Sequence, residues 1–178
     1  DPLSLHDALP ISVNVHRLKF KQGRGMMIGG GLGMTTVYFW DCAFEDNATT
    51  WGPAVANIRS YSQVWFVNTP IKNNRGVAGD RECANSGAFN VGGGNLHLQD
   101  TPFSGNRAIS HAPGPFPSCY AGNGDIQMPD CSGQVHFYPG AVRGSRRMDR
   151  DNIGMRPWVT CPYDRRIFVH GEIGRAHV

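Results

Sequence analysis

The sequence has 178 residues and a formal net charge of +3, with 40% hydrophobic and 17% charged residues, enough for one domain or a stretch of a repeat array. No run approaches the ~20 apolar residues of a membrane helix. The 23 Gly and 12 Pro, with few Ala-Leu-Glu-Lys stretches and no 3.6-residue apolar stripe, exclude a helical protein and point to an all-β chain.

In chain order, the first segment is Ser4 to Ser12 (SLHDALPIS); together with the last, Glu172 to Val178 (EIGRAHV), it resembles in-frame translations of short-read sequencing adapters. Residues 1–12 and 172–178 are therefore set aside from fold reasoning, as a tag would be. The remainder, 13–171, is expected to be a fragment of a longer chain from an assembled read, so the lack of a leader or anchor carries no weight. Without Asp1, Asp7, Glu172 and Arg175 the charge becomes +5. It is unevenly spread: Val37 to Asn106 holds four basic and six acidic residues, Arg143 to Arg166 seven Arg and three Asp. The basic stretch lacks the interleaved aromatics of a stacking platform and reads as solvated surface, so no nucleic acid partner is expected.

Next comes Gly29 to Met34 (GGGLGM), expected to be a tight turn followed by a short inward run. An 11-residue pattern then recurs without gaps: Val37 to Asn47 (VYFWDCAFEDN), Val64 to Asn74 (VWFVNTPIKNN) and Leu96 to Asn106 (LHLQDTPFSGN), with starts 27 and then 32 residues apart. Sites 1, 3 and 8 are apolar in each copy: Val37, Phe39, Phe44; Val64, Phe66, Ile71; Leu96, Leu98, Phe103. Site 5 is Asp41, Asn68 or Asp100, site 6 is Cys42, Thr69 or Thr101, and site 11 is Asn47, Asn74 or Asn106. Alternation at sites 1 and 3 is the signature of a strand with one buried face. An Asx at site 5 suits a turn, because its short side chain bonds nearby backbone and tolerates left-handed dihedrals.

One such unit cannot bury its own apolar face, so successive units are expected to stack at about 4.8 Å with like residues in columns. Column register forbids gaps inside the pattern, whereas the loops between copies are free to vary, and periods of 20–50 residues are those of solenoids. Stacked site-11 amides can bond the neighbours above and below, so Asn47, Asn74 and Asn106 are expected to form a structural ladder. Between copies, Trp51 to Asn57 (WGPAVAN) and Ser86 to Gly94 (SGAFNVGGG) each predict a turn and a further inward run, Ala54-Val55 and Ala88-Phe89.

The elements Phe44 to Asn47 (FEDN) and Phe103 to Asn106 (FSGN), with Ile71 to Asn74 (IKNN) one residue off, resemble the Phe-x-x-Asn element of polymorphic outer membrane protein repeats. Gly52 to Val55 (GPAV) and Ser86 to Phe89 (SGAF) resemble that family's Gly-Gly-Ala-apolar element in degenerate form. Residues 29–110 also look like the right-handed parallel β-helix, pectin-lyase-like superfamily. The resemblance implies secreted or surface-anchored passenger domains, often adhesive, and pectin-lyase-like relatives that include polysaccharide lyases and hydrolases.

Catalysis of the second kind needs clustered carboxylates for Ca²⁺ with a base nearby, or paired carboxylates at about 5–9 Å. Asp41 and Asp100 share a site two copies apart, about 9–10 Å at strand spacing; the competing reading is that site 5 only needs an Asx turn. Glu45 and Asp46 in the adjoining turn offer a loose surface cation site. Site 2 reads Tyr38, Trp65 and His97, opposite to the buried sites. This column is the weak ligand-binding candidate: flat rings that could stack on sugars, with Trp40 at site 4 extending the surface, or else a cross-strand ladder that stabilises the sheet. Asn47-Ala48-Thr49 is an N-glycosylation sequon, but a buried ladder Asn could not be modified.

Of five Cys, Cys42 reads as a small unpaired core residue, while Cys83, Cys119, Cys131 and Cys161 allow two disulfides, Cys119–Cys131 preferred. There is no C-x-x-C or His–Cys spacing for zinc, the scattered histidines (His16, His97, His111, His136, His170) read as surface residues, and no Gly-Lys-Ser/Thr follows GGGLG. No metal, cofactor or catalytic residue is assigned. After Ala108 the pattern stops. Residues 111–171 read as a loop-rich cap or linker, a different module, or a stretch read through or out of frame, with Gln134 to Gly140 (QVHFYPG) and Arg165 to Gly171 (RRIFVHG) as isolated strands.

The expectation is thus an all-β, right-handed parallel β-helix fragment of about three to four rungs at 13–110. Its expected function is that of a non-catalytic extracellular or cell-surface segment, adhesive or structural. Its partner would be a carbohydrate or host-surface ligand, with a membrane reached only through parts outside this fragment. The alternative is a fragment of a carbohydrate-active enzyme, either polysaccharide lyase or glycoside hydrolase.

Overall fold

The computed structural model describes residues 10–31, 33–49, 52–78, 87–110, 125–127, 133–139 and 167–170. Among them there is no helix, and the fold is all-β. The first strands are β1 (Ile11–His16), β2 (Lys19–Lys21), β3 (Met26–Ile28), β4 (Thr35–Trp40), β5 (Ala43–Glu45) and β6 (Ala56–Arg59). Then follow β7 (Ser62–Val67), β8 (Ile71–Lys72), β9 (Arg75–Ala78), β10 (Phe89–Gly92) and β11 (Asn95–Gln99). The last are β12 (Phe103–Ser104), β13 (Arg107–Ser110), β14 (Ile126–Gln127), β15 (Gln134–Phe137) and β16 (Ile167–Val169).

Every strand pair is parallel. The first sheet runs β1-β4-β7-β11-β15-β16, the second β12-β8-β5-β2, the third β13-β9 and the fourth β14-β10-β6-β3. Each copy of the repeat therefore places one strand in the first sheet and the next in the second. Register is kept between copies: Val37 pairs with Val64, Phe39 with Phe66, and Leu96 and Leu98 take the same columns below them.

The apolar sites fill the interior. Val64, Phe66, Ile71, Leu96 and Leu98 are fully buried, and Ala56, Ile58, Phe89 and Val91 of the fourth sheet meet them from across the core. Rings stack along the columns, Phe20 on Phe44 with centroids 4.4 Å apart and Phe39 on Phe66 at 4.8 Å. Phe66 meets Phe89 edge-on at 4.9 Å, which closes the gap between sheets.

Two files of polar side chains run through this interior. In one, the Asn74 side-chain N–H donates to Asn106 Oδ1 at 2.9 Å and to the Phe44 carbonyl at 2.9 Å. Asn47 does the same to Asn74 Oδ1 at 2.9 Å and to the Phe20 carbonyl at 3.1 Å. The backbone N–H of Asn47 and of Asn74 also bonds the next Asn Oδ1. In the other file, the Thr69 hydroxyl bonds the carbonyls of Val67 and Phe39, and the Thr101 hydroxyl those of Gln99 and Phe66. The Cys42 thiol stands in the same file, 3.3 Å from the Trp40 carbonyl and 3.5 Å from that of Val15. Buried carbonyls at each corner are thereby satisfied.

The corners themselves are left-handed. Site 5 has positive φ in Arg17, Asp41, Asn68 and Asp100 (47 to 55°), and so does site 10 in Gln22, Asp46, Asn73 and Gly105 (52 to 66°). Asp, Asn and Gly bear that conformation at least cost. At Gly105 a Cβ would also collide with Asn73 Oδ1.

Four sequence expectations need correction or extension. A further copy, Val13 to Gly23, precedes those read from the sequence, with Val13 over Val37 and Phe20 over Phe44. Its strand begins at Ile11, two residues inside the stretch set aside as adapter-like. The inward run near GGGLGM comes before it, as Met26–Ile28 paired with Ala56–Ile58, because Gly29 and Gly30 at φ 87° and 91° form the turn out of that strand. Finally, β15 and β16 are not isolated: both extend the first sheet, Leu96 over Val135 and Val135 over Ile167. The segments 1–9 and 171–178, and most of 111–166, lie outside the described residues.

Replacing Asn74 with Ala strips acceptors from Asn47 and donors from Asn106 and Phe44, each orphaned buried group costing about 1–3 kcal/mol. Urea titration is expected to show a loss of about 3 kcal/mol or more. The adjacent Asn73→Gly, placing in an exposed left-handed corner the residue already used at Gly105, is expected to cost less than about 1 kcal/mol.

Candidate functional site: the ring columns on the outer face of the first sheet

Because side chains alternate along a strand, sites 2 and 4 of the first sheet project away from the core. Register stacks Asn14, Tyr38, Trp65, His97, His136 and Phe168 in the site-2 column. His16, Trp40 and Val67 follow one another in the site-4 column. Tyr138 and His170 each lie one residue beyond the end of strands β15 and β16, in line with that column. The sequence-predicted residues Tyr38, Trp65 and His97 do stand together: Trp65 lies on His97 with centroids 4.0 Å apart and planes 4° from parallel, and Tyr38 on Trp65 at 6.1 Å and 20°. Trp40 lies beside Tyr38 at 5.9 Å.

This geometry turns ring faces toward each other along the stack and ring edges toward solvent. His97 is 7% exposed, enclosed by Trp65 on one face and by His136 at 4.5 Å on the other. Its ring nitrogens are engaged by Gln63 Oε1 at 2.8 Å and the Tyr138 hydroxyl at 3.4 Å. The expectation of an outward, surface His97 is thus corrected: stacking between like positions buries it. Burial, then the neighbouring His136 and His170, pull its pKa down to about 4.

Nor are three of the histidines scattered, although His16 stands apart on Trp40 and His111 lies outside the described residues. His97, His136 and His170 occupy three successive strands, with His136 Nδ1 2.9 Å from His170 Nε2. Tyr138 covers His170 at 4.5 Å and Phe168 covers His136 at 4.6 Å. In the sequence these residues are separated by 38 and 33 positions of irregular spacing, and only His136 and Phe168 following apolar residues signal the column.

The other candidates have ordinary structural roles. Asp41 and Asp100 are exposed left-handed corners, and Asn68 between them donates to Asp41 Oδ1 at 2.7 Å. Glu45 and Asp46 face ammonium groups, Lys19 at 2.7 Å and Lys21 at 3.4 Å from Glu45, and Lys21 at 3.7 Å from Asp46, which leaves little need for a bound cation. Lys19 is accordingly raised, and Glu45 lowered, in pKa by their mutual hydrogen bond. In the sequon, Asn47 is 3% exposed and both protons of its amide are donated. Cys42 is free and buried, while Cys83, Cys119, Cys131 and Cys161 lie outside the described residues. Among the described residues no group of three or more His, Cys, Asp or Glu could hold a metal ion.

One buried acid has no sequence signature. Asp125 is 2% exposed with one carboxylate oxygen unpartnered, its carbonyl accepts from Ala88 and Phe89, and burial drives its pKa up to about 7 against a hydrogen bond with Asn106. No family model, curated protein or solved structure matches the chain. Among the described residues, no helix is long and apolar enough to cross a membrane.

A folded-state pKa above the unfolded one means that Asp125 favours folding below about pH 4 and loses that contribution as pH rises to about 7. The loss is on the order of 4 kcal/mol at most. Urea midpoints recorded from pH 4 to 7.5 should therefore show Asp125→Asn gaining on the parent chain as pH rises. His97 acts oppositely, its contribution fading as pH falls from 6.5 to about 4.

Proposed function

We propose that this chain is part of a right-handed parallel β-helix that serves as a non-catalytic scaffold at a cell surface or outside the cell, structural or adhesive in role. The observation that carries the reading is the cyclic return of the chain to the same parallel sheets in unbroken register, with the Asn file at one corner. Crossover connections between parallel strands of one sheet are right-handed in nearly all proteins, which supports the hand. Resemblance to polymorphic outer membrane protein repeats supports the location.

The non-catalytic part rests on the fate of the acidic residues. Asp41 and Asp100 answer the backbone's demand for left-handed corners, and among the described residues Arg17 is the one basic residue in that corner column. On the outer face, sites 2 and 4 carry neither Asp, Glu, Lys nor Arg among the described residues. Half-exposed edges of Tyr38, Trp40 and Trp65 lie beside the amides of Gln63 and Gln99. Such a surface suits a neutral glycan, whose hydroxyls meet amides and whose apolar patches are covered by the aromatic side chains.

Glycan-array binding with no release of reducing or unsaturated sugars is the expected result. Trp65→Ala should reduce binding at least tenfold while the β-sheet circular dichroism persists. Release of product would instead favour a lyase or hydrolase fragment, and no binding to any sugar would leave the structural role alone.

A further inference from the structure

His136 and His170 meet in an unusual way. Their centroids are 5.2 Å apart, their planes differ by 13°, and Nδ1 of one lies 2.9 Å from Nε2 of the other. Two rings so placed lie side by side nearly in one plane, so one N–H is aimed at the other ring's lone pair. A neutral pair makes this bond with the proton of one tautomer, and a singly protonated pair also makes it. A doubly protonated pair cannot, because two N–H groups then face each other.

We propose that this imidazole pair is an acid-sensitive latch holding the terminal strand β16 on β15. Beyond it, β16 is attached by the three register pairs from Val135–Ile167 to Phe137–Val169 and by the His170 N–H to the Phe137 carbonyl at 2.7 Å. Among the described residues it is the last strand of the first sheet, so its detachment breaks one strand pairing and leaves β15 as the edge.

The surroundings resist a second proton. From β11, His97 stacks on His136; from β15, Tyr138 stacks on His170 and Gln134 Oε1 engages His136 Nε2 at 3.2 Å; from β16, Phe168 covers His136. Among the described residues no carboxylate joins these groups to compensate a second charge. His136 is pulled to lower pKa by desolvation and then by His170. Acidification therefore favours the detached strand, in which both imidazoles are hydrated and free to charge. The latch stands independently of the scaffold role, since it needs only β15 and β16.

Amide hydrogen exchange of the full chain, corrected to protection factors at pH 7.5, 6.5 and 5.5, tests it. Protection over Ile167–Val169 should fall up to about tenfold per pH unit as one extra proton is bound on opening, while β7 falls less. In His170→Gln, whose amide can still bond His136, the fall in protection per pH unit should be clearly smaller than in the parent chain, the part that burial of His136 causes remaining. Equal acid loss in β7 and β16, or the same loss in His170→Gln as in the parent, would overturn the proposal. Imidazole ¹⁵N spectra of the unaltered chain at about pH 7.5 give a second reading: of His136 Nδ1 and His170 Nε2, one should carry the proton and the other accept it. Spectra showing no proton shared between those two nitrogens would equally overturn it.

Discussion

The structure depends on register between strands that are one copy of the repeat apart. Parallel backbone pairing alone would tolerate a slip, but a slip of one residue would turn Val64, Phe66 and Leu96 outward and the rings of site 2 into the core. The Asn and Thr files forbid it more strictly. Each Asn amide must reach the site-8 carbonyl of the preceding copy and the Asn of the next at once, and only one alignment satisfies both. Buried amides left unmatched would each cost as much as a large fraction of a domain's net stability.

From that constraint the rest follows. Fixed register puts left-handed corners over left-handed corners, so sites 5 and 10 are held to Asp, Asn or Gly in most copies. It also puts outward rings over outward rings. The aromatic column is then a product of the same stacking, with ring faces turned to each other and edges to water. His97, on the outer face yet enclosed, shows how far the effect goes.

The sequence carried the parts of this fold that repeat chemically. Copies at Val37, Val64 and Leu96 are visible because site 11 is Asn in each; Val13 to Gly23 is hidden because Gly23 and Arg17 stand where Asn and Asx would be, although Val13, Val15 and Phe20 keep the apolar sites. The need for Asx at site 5 was legible from turn chemistry, whereas site 10 was not, since Gln22, Asp46, Asn73 and Gly105 share a backbone angle and no side-chain type. Tyr38, Trp65 and His97 could be aligned from the pattern, but not the mutual covering of their faces, which depends on side-chain torsions. His136 and His170 were out of reach because the 33 residues between them follow no repeat. Asp125 was equally hidden, since its burial arises from contacts distant in sequence.

The central claim is that Asn47, Asn74 and Asn106 form one hydrogen-bonded file. Side-chain amide NMR on the ¹⁵N-labelled chain tests it most directly. The account predicts nuclear Overhauser contacts from the Asn74 amide protons to both Asn47 and Asn106, with exchange far slower than that of the exposed Asn68 and Asn73. Fast-exchanging Asn74 amide protons without those contacts would contradict it.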